Sequence, residues 1–402
     1  MESPLIYDDL EDGQLKAQFE SLVHCMRTIQ NMTEEEIIAF LERIRQEVTT
    51  TPNLVRILTT TNISILNIGL YAGSRLDSEA SKPFLQFLID TNPSALLWQK
   101  GDYGDDHYPI NIISSHPQVC TLMPWIATNH QWVLDHENIV DKPPLFVLIR
   151  LLQSSTERGI AEIIRQFIDI YPRSLTQKNS DGLIPLHLII INPGCAVALV
   201  KRMVELCPSS MMIKTHNGLA PLHVVCGYVA RNPGDYKEIC KYLISKFPES
   251  VKCTIDDGDR NSLPIHLLVT SCQHQAVREV IVCLLRAYPE SYDIQVRGVR
   301  GSAPSSFPFI QHANSLLVEE RALQDNIAQL KSIMGAFDNA MKCTREDLIK
   351  STCTVFHSWV VSSIQRIESK IELNLSLIQQ ACDTKNKRIL SNPSSKLLLQ
   401  AG

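Results

Sequence analysis

One short phrase returns through the middle of this chain: Pro185-Leu186-His187, Pro221-Leu222-His223 and Pro264-Ile265-His266. A second keeps step with it, as Tyr171-Pro172-Arg173-Ser174, Cys207-Pro208-Ser209-Ser210, Phe247-Pro248-Glu249-Ser250 and Tyr288-Pro289-Glu290-Ser291, with successive prolines 36, 40 and 41 residues apart. Self-similarity at such a period means a chain of stacked supersecondary units, because one unit alone cannot bury its apolar face while neighbours together make a continuous core.

The unit follows from local chemistry. Proline at the first helical position costs no hydrogen bond and presets φ, so Pro185, Pro221 and Pro264 are expected to start helices. Ahead of the first two stand Ser180-Asp181-Gly182 and His216-Asn217-Gly218, which supply the positive φ that a tight turn needs. A second helix is read from apolar spacing at Ile163, Ile164, Phe167, Ile168 and Ile170, and again at Val280, Ile281, Cys283, Leu284 and Leu285. Each unit therefore reads helix, turn, helix, extended loop. Weaker copies precede these: Asn92-Pro93-Ser94 ahead of Tyr108-Pro109-Ile110-Asn111, Asn129-His130-Gln131-Trp132 ahead of Pro143-Pro144-Leu145-Phe146, and a helix outline over Ser64 to Gly73 without its proline.

The phrases Asp181-Gly182-Leu183-Ile184-Pro185-Leu186-His187 and Asn217-Gly218-Leu219-Ala220-Pro221-Leu222-His223 resemble the D-G-x-T-P-L-H phrase of ankyrin repeats. The pattern departs where Thr is replaced by Ile184, Ala220 or Leu263, and where Tyr-Pro-Glu-Ser stands in place of Gly-Ala-Asp. The spacing also exceeds the usual ankyrin period and lies nearer that of HEAT-type pairs, but the Pro-Leu/Ile-His phrases favour the ankyrin likeness. The resemblance implies an all-α fold, an ankyrin-like solenoid of about six degenerate units over residues 61–305. It also implies a structural role for the recurring histidines, hydrogen-bonding backbone between repeats.

The ends differ from the middle. Residues 1–60 are acidic and read as an N-terminal helical cap, with Phe19, Leu22, Val23 and Met26 on one face and a capping box at Thr33–Glu36 opening a second stripe through Ile37, Phe40, Leu41, Ile44 and Val48. After a Gly-, Ser- and Pro-rich joint, residues 306–402 predict a long helical hairpin. Leu316, Leu323, Leu330 and Phe337 form one seam that Glu320 interrupts. Cys353, Phe356, Val360, Ile364, Ile367, Ile371, Leu375, Ile378 and Cys382 form another with an 11-residue period.

Function is less legible. With 43 acidic residues against 38 Lys and Arg, the net charge of -5 has the wrong sign for gripping phosphate backbones, so no nucleic acid is expected. The 12 cysteines lack paired C-x-x-C spacing and read as reduced thiols, the acidic start reads as no signal peptide, and no membrane span is expected. A cytoplasmic or nuclear protein is the expectation. Phosphate-loop, nucleophile-elbow, zincin and dinucleotide motifs are absent, so neither catalysis nor a cofactor is expected. The acidic loops 101–106 and 256–259 read as enlarged repeat loops rather than calcium sites, and the basic run 385–388 as a helix end. The alternative is a metal or enzymatic site among the Cys and His groups near His266 and His274.

The leading expectation is a non-catalytic scaffold that binds a protein partner. Loop aromatics Trp98, Tyr103, Tyr108 and Trp132 are candidates for contact, since such rings give large area with few torsions. The repeat likeness adds Lys178, Asn179, Lys214, His216 and Asn217 as loop-tip positions. The C-terminal helices are expected to dock or to self-associate through residues 312–382, or else to cap the array.

Overall fold

The computed structural model describes residues 4–59, 63–98, 108–136, 143–154, 159–191, 197–231, 236–255, 262–269, 275–294, 304–306, 308–343 and 347–383. Among these the chain is mostly helical, with two two-residue strands. It divides into two compact units, Met1–His216 and Asn217–Gly402.

The first unit holds α1 (Gly13–Thr28), α2 (Glu34–Thr50), α3 (Ile65–Gly73), α4 (Ser78–Thr91), α5 (Pro109–Ser115), α6 (Met123–Asn129), α7 (Gln131–Leu134), α8 (Pro144–Ser154), α9 (Ile160–Ile170), α10 (Pro185–Ile191) and α11 (Val197–Leu206). Two short strands, Leu5–Ile6 and Ile57–Leu58, pair in parallel. The helices fall into two layers. In one, α1, α3, α5, α8 and α10 touch in succession. In the other, α2 meets α4, α4 meets the turn Cys120–Leu122 that leads into α6, α6 meets α9, and α9 meets α11. The second unit holds α12 (Pro221–Arg231), α13 (Tyr236–Lys246), α14 (Gln275–Ala287), α15 (Pro308–Cys343) and α16 (Asp347–Asp383). There α12 packs on α13, α13 on α14, and both long helices on α14.

A backbone corner ends each helix of the second kind. Its residue recurs every 36 to 41 positions: Thr51, Asn92, His130, Tyr171, Cys207, Phe247 and Tyr288. Each N–H closes the last helical turn on the carbonyl four residues back, at 2.8 to 3.1 Å, and each carbonyl accepts the N–H three residues on, at 3.0 to 3.2 Å. After six of the seven corners, proline opens a 3-10 turn, the first at Pro52 and the last at Pro289. Within the last four, Ser174, Ser210, Ser250 and Ser291 are buried and donate Oγ–H to the corner carbonyl at 2.6 to 2.7 Å. The serine of the Pro-Glu-Ser phrase is thus a turn lock. Ser250→Ala is expected to cost about 1 kcal/mol, the net worth of one such bond, read as a lower urea midpoint with unchanged slope.

Of the stripe read on α1, Phe19 and Leu22 are buried while Val23 and Met26 are half-buried. The capping box at Thr33 and Glu36 is formed, and Ile37, Phe40, Leu41, Ile44 and Val48 are all buried. Pro109, Pro144, Pro185 and Pro221 each open an α-helix. Pro264 does not. It opens a four-residue 3-10 helix, Pro264–Leu267, held by bonds from His266 N–H to Leu263 O and from Leu268 N–H to Ile265 O, both 3.0 Å. The following Thr270 and Ser271 favour caps and turns over helix continuation. Ile170, read as part of a buried stripe, is 41% exposed.

The C-terminal helices run antiparallel, as Lys370 pairs with Glu319 at 2.6 Å while Phe356 and Met334 share a cluster with Ile327, Leu330, Val360, Ile364, Ile367 and Ile371. The 11-residue period read for the second helix fails at Leu375, which is 38% exposed. Asn374 is buried instead, so the inward positions continue as Ile367, Ile371, Asn374 and Ile378. The facing helix presents Ile327, Leu330 and Met334 at 3.5-residue spacing, and a seam keeps the period of both partners. Glu320, which interrupts the other seam, is buried and accepts from Arg286 of α14 at 3.1 Å and from Gln324 at 3.2 Å. With Arg321 donating to Leu285 O at 3.1 Å, it fixes the hairpin to α14.

Candidate binding surface

The recurring histidines lie at the third position of the helices opened by Pro185, Pro221 and Pro264 and are buried. In each, ring Nδ1 accepts a backbone N–H three residues back: Ile184 to His187 at 3.2 Å, Ala220 to His223 at 3.3 Å and Leu263 to His266 at 3.0 Å. This bond replaces the missing side-chain cap of a helix whose first residue is proline. An accepting Nδ1 leaves the proton on Nε2. In His223 that Nε2–H points at Ser262 O, 3.1 Å away, and in His266 at Ile294 O, 3.0 Å away. One neutral ring thus caps its own helix and ties it to a segment 28 or 39 residues on. The prolines and leucines beside them, Pro185, Leu186, Pro221, Leu222, Pro264 and Ile265, are buried as packing.

Burial lowers the pKa of His266 below the ordinary 6.5, against the raising effect of its two backbone bonds. Between the depressed folded value and the unfolded one, the unfolded chain binds more protons, so stability is full above about pH 6.5 and falls as pH drops through that window. Thermal melts from about pH 7.5 to about pH 5 should show a falling midpoint, with a shallower fall in His266→Gln.

The loop-tip candidates divide. Asn179 builds its turn, with Oδ1 accepting from the N–H groups of Asp181 at 3.1 Å and Leu183 at 2.9 Å. Gly182 takes φ +73 at the tip, and the Lys214–His216 segment lies against it: His216 N–H reaches Asp181 O at 3.4 Å and Lys178 Nζ reaches Lys214 O at 3.2 Å. Lys178 and His216 are exposed, Lys214 half-buried. Asn217, in the second unit, is exposed.

The aromatic candidates divide too. Trp98 is buried at 7% exposure and fills its unit, while Trp132 on α7 is 42% exposed. Tyr108 is half-buried at the start of α5. Tyr103 lies outside the described residues. Near Trp132, His130 packs edge-on against Trp125 at 5.1 Å and reaches Asp90 at 3.0 Å. Tyr171 donates to Asp135, and its pKa is raised by burial first and by this carboxylate second.

Sequence reasoning missed a groove. On the first-layer face of the first unit, an open cavity of about 490 Å³ is lined by Ser115, Val147, Arg150, Leu151, Gln153 and Ser154, from α5 and α8. Arg150 is the one charged residue in the helix Pro144–Ser154, which is otherwise apolar up to Leu152, and that isolation was its signal. Ion pairs join α11 to α9 in the first unit, Arg202 to Asp169 at 2.7 Å, and α13 to α14 in the second, Lys241 to Glu279 at 2.6 Å. Burial opposes ionisation of Glu279, but Lys241 and Lys237 outweigh it and leave its carboxyl below the usual range.

Among the described residues no group of three His, Cys, Asp or Glu side chains could hold an ion. Both ring nitrogens of His266 are committed to backbone, and His274, Cys272 and the acidic loops 101–106 and 256–259 lie outside the described residues, as does the basic run 385–388. No helix among those described is long and apolar enough to cross a membrane. No protein-family model matches the chain, and a search of curated proteins finds no match.

Proposed function

We propose that the chain is a non-catalytic interaction scaffold, an ankyrin-like array that binds a protein partner through its first-layer face and loop tips. The observation that carries this reading is the use of the recurring histidines, which spend both ring nitrogens on backbone in His223 and His266. What remains available is surface. The groove at Arg150 and Val147, the exposed Trp132, and Lys178 and His216 at the tips form a contact set of mixed charge and apolar area. Such surfaces need few anchors, and an exposed Trp and an Arg are the side chains that supply most binding energy.

The corner at Thr51 extends the pattern into residues that read from sequence as a cap, so the array begins with α1 and α2 on this reading. The C-terminal hairpin covers α14 through Glu320 and Arg321, which favours capping as its first role, as terminal units of a stack need covering. Its exposed Trp359, Leu373 and Leu377 leave self-association as a second use. The free thiols among the described cysteines fit a cytosolic or nuclear compartment.

The test is affinity capture with mass spectrometry from native cells, using the full chain and full-length Trp132→Ser and Arg150→Glu variants. Proteins retained by the wild type and lost from a folded variant support the reading. Capture unchanged by either substitution, or no partner with any form, would contradict it.

A further inference from the structure

Two free thiols in the second unit touch. Cys226 on α12 and Cys240 on α13 place their sulfurs 3.7 Å apart, with both side chains fully buried. Their helices pack directly together, and α13 packs on α14, the helix that carries the C-terminal hairpin. Cys226 stands one turn beyond His223, whose ring ties α12 to Ser262 O. A covalent bond at this point would join two helices that are otherwise held by packing.

We propose that Cys226 and Cys240 are a modification site, closed to a disulfide by a hydroperoxide. In the first step one thiol gives up its proton and the thiolate sulfur attacks a peroxide oxygen. The O–O bond breaks, and the departing oxygen leaves as water after taking a proton, with a sulfenic acid left on the protein. In the second step the other thiol's sulfur attacks the sulfenic sulfur, an S–S bond forms, the S–O bond breaks and a second water leaves. Two thiols and one hydrogen peroxide thus become one disulfide and two waters, with two electrons passing from sulfur to oxygen.

The geometry favours the second step and restrains the first. Closing 3.7 Å to a bond length of about 2.05 Å needs a displacement within reach of side-chain torsion and small helix shifts. Burial, then the neighbouring Cys226, holds the Cys240 thiol well above its ordinary pKa, so in the folded state Cys240 stays protonated and unreactive. Oxidation is therefore coupled to local opening of α12 from α13, and the finished bond records that opening. Cys283 on α14 is the competing neighbour, its thiol also raised by burial.

The experiment treats the full chain with hydrogen peroxide, quenches with catalase, alkylates free thiols and maps the peptides. The expected result is a Cys226–Cys240 linked peptide lighter by two hydrogens, reversed by dithiothreitol, formed faster in urea below the unfolding transition, and absent from Cys240→Ala. Two results would overturn the proposal: Cys226 and Cys240 remaining fully alkylatable while the less buried Cys25 and Cys207 are oxidised, or Cys240 appearing linked to Cys283. Mapping of the wild type decides between these whether or not a variant folds.

Discussion

Replacing His223 by alanine is expected to destabilise the second unit by about 3 kcal/mol. The side chain is 1% exposed, so alanine leaves a cavity. It also orphans the Ala220 N–H, which the ring accepts at 3.3 Å, and removes the ring's bond to the Ser262 carbonyl at 3.1 Å, leaving that oxygen only the Ile255 N–H at 3.0 Å. Either loss alone costs on the order of 1 kcal/mol, and burial removes water as a substitute. His223→Asn restores an acceptor for the first bond without the reach for the second, and its loss should be intermediate. The exposed His216 supplies the control, since His216→Ala leaves its backbone bond to Asp181 intact and should stay within about 0.5 kcal/mol of wild type. Urea titrations followed by circular dichroism separate these outcomes, and a His223→Ala midpoint equal to that of His216→Ala would remove the cap from the account.

Gly182→Ala should cost a similar amount in the first unit, about 3 kcal/mol, for a reason of backbone rather than burial. At φ +73 a side chain is strained, and a Cβ built there would stand 2.7 Å from the His216 backbone nitrogen and 2.5 Å from its ring. The ring can rotate away, but the backbone nitrogen cannot move without opening the stacked tips. Gly227 is the useful contrast: it lies inside α12 with open space where a Cβ would be, and Gly227→Ala should stabilise by about 0.5 to 1 kcal/mol. Matched substitutions of opposite sign, measured in the same titration, test whether the tip is held by contact with the next tip.

Much of this architecture was legible because proline and glycine leave strong marks. Pro185 and Pro221 start helices where a first-turn proline should, and Gly182 and Gly218 take positive φ in the Asp-Gly and Asn-Gly turns. What escaped the sequence was geometry carried by the backbone alone. The corners at Thr51 and His130 make the same two bonds as Tyr171 or Phe247, yet the first is preceded by no familiar phrase and the second has Gln131 where the others have proline. At Pro264 the same first-turn proline opens a 3-10 helix rather than an α-helix.

The hairpin shows a different limit. Leu375 was the stronger apolar candidate than Asn374, but the choice of inward residue belongs to the facing helix, which no single-helix pattern contains. Surface candidates suffered from the same blindness. Trp98 and Trp132 are equivalent as letters, and their opposite fates are decided by packing within the unit. Arg150 gained meaning once α5 and α8 were seen to leave a groove beside it.

The protonation state of the recurring histidines separates a scaffold from a metal or enzymatic protein most directly. Long-range nitrogen–proton correlation spectra of the labelled full chain at neutral pH should place His223 and His266 in the neutral Nε2–H form, with shifts unmoved by added zinc, because Nδ1 receives the Ala220 and Leu263 amides. Signals from an Nδ1–H tautomer, or resonances of either ring that shift on stoichiometric zinc, would contradict the account and return these residues to chemistry.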